Sequence, residues 1–199
     1  MWNVDPTFIT LFGLEIRYYG VFWALAFIAG IYFFTNFTKR EKLPDRLVDS
    51  LFWYATILGI LGARLGHCLF YEPEYYLSRP MEMLLPMRKF ADGEWHFTGY
   101  EGLASHGGTF GLMLAIILYS RKVKLNLMHI LDNVAIVTPI CAFAIRMGNL
   151  MNSEIIGRPT DVPWAFIFER VDTLPRHPGQ LYEALCYASF FVVEWIIYR

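Results

Sequence analysis

The sequence is poor in the residues that cross-link or ligate. Its three cysteines, Cys68, Cys141 and Cys186, each sit inside an apolar stretch. An odd number so placed argues against a disulfide framework, and no CxxC or Cys/His spacing offers a metal site. All three read as packing residues. A charge excess is missing too. Lys and Arg total 17 against 18 Asp and Glu, a net charge of −1. No overall field therefore favours nucleic acid or an acidic surface. The N-terminus lacks a basic stretch, an apolar run and a small-residue cleavage site in succession. The first apolar segment is therefore expected to remain in the mature protein. There is no internal repeat and no low-complexity tract.

Apolar residues, by contrast, are abundant. They make up 56% of the chain, 18% being aromatic, against about 45–50% in soluble domains. Mean hydropathy is +0.37. A membrane protein is implied, because a span needs about 20 mainly apolar residues. Five stretches meet that need: residues 18–37, 51–71, 103–120, 130–147 and 181–198. The expected fold is an all-α polytopic membrane protein of about five transmembrane helices, forming one transmembrane domain over residues 1–199.

Charge is distributed by loop. Lys39, Arg40, Lys42 and Arg46 follow the first stretch, and Arg121, Lys122 and Lys124 follow the third. Between the second and third, Glu72, Glu74, Glu82, Asp92, Glu94 and Glu101 outnumber Arg79, Arg88 and Lys89. Basic loops stay cytoplasmic. The N-terminus is thus expected outside and Arg199 inside. Outer segments 72–102 and 148–180 carry aromatics, prolines and charges, and long loops of that kind are usually folded and functional. They are expected to form a small periplasmic cap.

Ionisable groups at membrane depth are costly and mark function by default. Arg64 stands among Gly59, Gly62 and Gly66, small residues that let helices approach closely. It reads either as a structural anchor or as a phosphate contact. His106 lies in GLASHGGTFG, where glycines permit close approach of substrate or backbone. An imidazole can exchange a proton near neutral pH. Next comes AIRMGNLMNSEIIGRP, with Arg146, Asn149, Asn152, Glu154 and Gly157. It is too polar for a lipid-facing helix. Arginine can grip phosphate through a planar fork. The bland alternative is a polar network that merely anchors the cap. In PRHPGQLYEAL, Glu183 falls just inside the last stretch, below Gln180, and should pair with Arg146 or Arg64 from another helix. Arg17, Tyr18 and Tyr19 open the first stretch and read by themselves as interfacial anchors.

These residues, in this order, resemble the prolipoprotein diacylglyceryl transferase family. The resemblance runs through RYYGVFWALAF, GARLGHCLFY, GLASHGG, RMGNLMNSEIIGRP and PRHPGQLYE. The family signature reads roughly Gly-Arg-x-Gly-Asn-Phe-x-Asn-x-Glu-x-x-Gly. Arg146, Gly148, Asn149, Asn152, Glu154 and Gly157 satisfy it, while Ile145 and Leu150 depart from it. Family members usually have seven spans and use an arginine after the fifth, which is not among these 199 residues.

The resemblance implies transfer of a diacylglyceryl group from phosphatidylglycerol to the lipobox cysteine of a prolipoprotein signal peptide, in the bacterial inner membrane. His106 would be the base on the thiol and Arg146 the phosphate holder. Tyr19, Asn149, Asn152, Glu154, Gly157 and Glu183 would form the substrate cavity, with Arg64 nearby. No metal or other cofactor, and no nucleic acid, would take part. The rival readings are a shortened relative that only binds lipid or signal peptide, and a small transporter.

Overall fold

A computed structural model describes residues 1–11, 13–44, 46–90, 93–97 and 102–199. Asp92 and Glu101, counted above in the acidic outer segment, lie outside the described residues. Strands β1 (Thr7–Leu11) and β2 (Leu14–Arg17) precede helices α1 (Tyr18–Arg40) and α2 (Arg46–Phe70). The first long outer segment holds α3 (Pro73–Leu77), α4 (Pro80–Leu84), β3 (Met87–Lys89) and β4 (Trp95–Phe97). Then come α5 (Ser105–Val123), α6 (Leu127–Asn152), β5 (Phe166–Ile167), β6 (Pro175–Arg176) and α7 (Gly179–Tyr198). Among the described residues the strands pair only two by two, each pair antiparallel.

Helices α1, α2, α6 and α7 are long and apolar enough to cross a membrane. The protein is a helical, multi-pass membrane protein. The fifth expected span is helix α5, 19 residues long, and it is not among those four. The reason lies in its ends. Ser105, His106 and two glycines open it, and Arg121 and Lys122 close it. Only its middle is strongly apolar.

The chain divides into two compact units, residues 1–37 with 132–199, and residues 38–131. In the first, α1 and α7 meet through aromatic rings. Phe33 lies 4.9 Å from Phe191 and 5.1 Å from Trp195, centroid to centroid, and Phe37 lies 4.7 Å from Tyr198. Such offset and edge contacts add to the burial of the rings themselves. Helix α6 packs on α1 where side chains are small. A Cβ on Gly30 would sit 3.8 Å from Val137, and one on Gly148 only 2.8 Å from the Tyr19 ring. The N-terminus is pinned to this unit. Trp2 donates from its indole to the Leu150 carbonyl at 3.1 Å and stacks on Phe166 at 5.4 Å.

In the second unit, α2 and α5 touch backbone to backbone. A Cβ on Gly62 would fall 2.9 Å from the Gly111 Cα, and one on Gly66 2.8 Å from the Gly107 Cα. Glycines allow an approach that any side chain would block. The amide of Ala104 closes the junction on the Ala63 carbonyl at 2.9 Å. Helix α1 ends in this unit with Lys39 and Arg40 in its last turn, where cations suit the exposed carbonyls. Lys42 adopts φ 56°. Leu43 and Lys42 then donate back to Thr38 at 2.8 Å and Lys39 at 3.1 Å, a Schellman closure.

Candidate active site

Polar side chains gather at the end of α6 and the start of α7. The signature run crosses from helix into loop at Asn152. A helix leaving the membrane exposes its last carbonyls, so polar partners must be supplied there. Arg146, in the last two turns of α6, sends its Nε to the Glu183 carboxylate of α7 at 2.7 Å. Its NH1 donates to the Asn149 side chain at 3.3 Å. NH2 has no hydrogen-bond partner among the described residues. The pairing expected of Glu183 is therefore made with Arg146, within one unit.

Glu154 is held from two sides. The Asn149 amide donates to its Oε2 at 3.1 Å, and the Asn152 amide to its Oε1 at 3.0 Å. Asn149 is buried, so its amide bridges Arg146 and Glu154 away from water. The Glu154 carboxylate is thus spent on amides and leaves Arg146 to Glu183. Tyr19 reaches this region from α1 by lying against Gly148. Gly157 has a packing reason for its lack of a side chain. Its amide donates to the His177 carbonyl at 2.9 Å, and a Cβ there would fall 2.7 Å from that of His177. Arg146, Asn149, Asn152 and Glu154 are therefore joined by hydrogen bonds and Glu183 by its ion pair with Arg146, with Tyr19 and Gly157 packed on the same loop and helix end.

Next to them runs a second chain of contacts. The Trp164 indole donates to the Tyr182 hydroxyl at 2.8 Å, and that hydroxyl lies 3.0 Å from His177 Nδ1. Arg176 is clamped by Asp172, Nε donating to its two oxygens at 3.2 and 3.0 Å. The arginine holds the Asp172 carboxyl below the usual carboxylate range. Trp2 and Trp164 help build this region, yet nothing in their sequence context marks them. Their partners lie 148 and 18 residues away.

His106 and Arg64 belong to the second unit. His106 is exposed, the second residue of α5. It has no hydrogen bond or ion pair among the described residues. Its neighbour Gly107 is used for backbone contact with α2. Arg64 is buried. Its guanidinium donates to the carbonyls of Glu82 at 2.7 Å, Met83 at 3.1 Å and Gly102 at 3.4 Å, and lies over the Tyr76 ring at 4.7 Å. Of the two readings of Arg64, these partners fit the structural anchor. Glu82 is in turn buried, taking a hydrogen bond from Tyr75 at 2.8 Å, which pushes the Tyr75 phenol up. Among the described residues, no cluster of His, Cys, Asp and Glu could hold a metal ion.

Comparison with known proteins covers nearly the whole chain. Residues 6–199 match the family model described as prolipoprotein diacylglyceryl transferase. A phosphatidylglycerol–prolipoprotein diacylglyceryl transferase of Bacteroides fragilis is 52% identical over all 199 residues, which span 72% of that relative. The protein of the same name from Chloroherpeton thalassium is 47% identical over 96% of this chain and 67% of its own length. That of Tolumonas auensis is 43% identical over the whole chain and 72% of its own.

Proposed function

The chain belongs to the prolipoprotein diacylglyceryl transferase family, and from that premise we propose the reaction and the residues that carry it. Phosphatidylglycerol supplies the diacylglyceryl group, and the cysteine of a lipobox in a prolipoprotein signal peptide receives it. The cysteine sulfur attacks the glyceryl carbon that carries the phosphate. A carbon–sulfur bond forms as the carbon–oxygen bond breaks. Glycerol phosphate leaves with the electron pair, and the thiol proton goes to a base. A thiol with pKa about 8.5 is a poor nucleophile until it loses that proton. His106 is the base. Arg146 holds the phosphate with the NH2 edge that its partners leave over, stabilising charge on the leaving group. Tyr19, Asn149, Asn152, Glu154, Gly157 and Glu183 bind the head group and keep Arg146 oriented. Arg64 serves by anchoring the segment that carries α4. No metal or other cofactor is invoked.

The observation that carries this reading is the joined network of Arg146, Glu183, Asn149 and Glu154 at the end of a membrane helix. Ionisable groups are expensive there unless they serve a site. The transporter reading predicts inverted repeats, and the sequence has none. Similarity to transferases along the full chain also weighs against it.

The protein is placed in the bacterial inner membrane, N-terminus periplasmic and Arg199 cytoplasmic, with segments 72–102 and 148–180 forming a periplasmic cap. The two basic connections follow α1 and α5. Both lie in the cytoplasm only if α5 crosses the bilayer. The test of function is direct. The protein is incubated in proteoliposomes with phosphatidylglycerol and a lipobox peptide, and the peptide mass is followed. Wild type adds one diacylglyceryl group, and His106→Ala and Arg146→Ala do not. Undiminished transfer by either variant would reject that residue's role.

A further inference from the structure

Among the buried polar side chains to which the proposed reaction gives no task, Gln180 lies next to the site. Gln180, in the first turn of α7, is 0% exposed. Its Nε2 donates to the main-chain carbonyl of Glu154. Its Oε1 is buried and has no partner among the described residues. An apolar side chain of similar volume would fill this place without burying an unpaired oxygen, which is unfavourable. Packing alone therefore does not account for a glutamine here.

The backbone it holds is unusual. Ser153 and Ile155, on either side of Glu154, have φ of 56° and 54°. Left-handed backbone is disfavoured for residues with a side chain, and for a β-branched isoleucine it is an outlier. Such conformations persist only where surrounding contacts over-determine them. The two ends of the loop are tied by main-chain bonds, Glu154 N–H to Asn149 at 3.0 Å and Gly157 N–H to His177 at 2.9 Å. Between the two left-handed residues, the Glu154 carbonyl has the Gln180 amide as its partner.

We propose that Gln180 is a positioning residue, whose buried amide holds residues 153–157 in the turn that directs the Glu154 carboxylate onto Asn149 and Asn152. It acts through Glu154 and touches no substrate. The proposal rests on the reading of Glu154 as part of the head-group site.

Two readouts separate the proposal from that reading. The first needs no substrate. Hydrogen exchange of the amides of residues 154–157 is compared in wild type and Gln180→Met, in the full chain in bilayers. Exchange at least about tenfold faster in the variant is expected if the amide holds the turn. Unchanged exchange overturns the proposal. The second is a double-mutant cycle on diacylglyceryl transfer with Gln180→Met and Glu154→Ala. Gln180→Met alone loses about tenfold, mainly through a raised KM for phosphatidylglycerol, while adding it to Glu154→Ala changes the rate by less than about twofold. Additive losses mean a general structural role and also overturn it. Should Gln180→Met fail to fold, Gln180→Leu, smaller and likewise without a donor, decides by the same readouts. If wild type transfers nothing, the proposed function fails, and the exchange measurement still decides whether Gln180 holds the turn.

Discussion

At the scale of single residues, Arg146 is defined by how its donors are shared. Glu183 takes Nε and Asn149 takes NH1. A lysine would keep the charge but could not satisfy both partners and a phosphate from one planar fork. Arg146→Lys should therefore lose transfer by about 10²–10³-fold, the cost of removing one well-placed transition-state donor. Single-turnover rates with saturating phosphatidylglycerol check this, and a Lys variant within a few-fold of wild type would contradict it. Gly157→Ala is expected to damage activity for a steric reason, since the new Cβ would fall 2.7 Å from that of His177. That Glu183 needs an arginine partner was legible in the sequence, because a carboxylate inside a span demands a cation, and the structure selects Arg146 over Arg64. The Asn149–Glu154 bond was not. It depends on the chain turning back at Ser153, whose backbone is left-handed, and a serine does not encode such backbone by its residue type.

The elements differ in what holds them. Helices α2 and α5 rely on glycine contact, whereas α1 and α7 rely on aromatic rings. Gly62→Leu would drive a side chain into the α5 backbone, with Gly111 Cα only 2.9 Å from its first carbon. Overpacking of this kind costs about 1–3 kcal/mol, and more where backbone must move. A melting temperature several degrees below wild type is expected in detergent. Gly20→Ala, with nothing within 4 Å of the new carbon, should stay within about 0.5 kcal/mol of it. The segment before α7 is set by Asp172 and Arg176. Asp172 has a depressed pKa in the folded protein, so the pair stabilises above the unfolded carboxylate value of about 3.9 and is lost as pH falls through the lower, folded value. Limited proteolysis of this segment should stay slow at neutral pH and accelerate only below about pH 4. In Asp172→Asn it should already be faster at neutral pH and show no such step.

For the whole molecule, the crossing of α5 is the point on which topology turns. Its exposed residues include Phe110, Leu112, Met113, Leu114 and Leu118, and its glycines lie on α2. A helix that rests one face on a neighbour needs lipid-facing hydrophobicity only on the other, which is how a polar-ended helix can span. Cysteines introduced at Lys42 and Lys124 should both resist a membrane-impermeant thiol reagent in intact cells, and one introduced at Trp95 should react. Labelling at Lys124 would place the connection after α5 outside. The amino-acid sequence by itself determined the membrane class, the long helices and the residue types of the site, because hydropathy and the cost of charge in lipid act on each segment separately. It also determined the family, through ordered motifs that need no coordinates. Only the tertiary structure decided that α5 is carried by glycine contact, that Arg64 spends its donors on carbonyls, and that Gln180 faces the Glu154 loop. Those outcomes depend on which backbone groups meet across large separations in the chain, and packing geometry selects among partners that residue chemistry alone leaves equivalent.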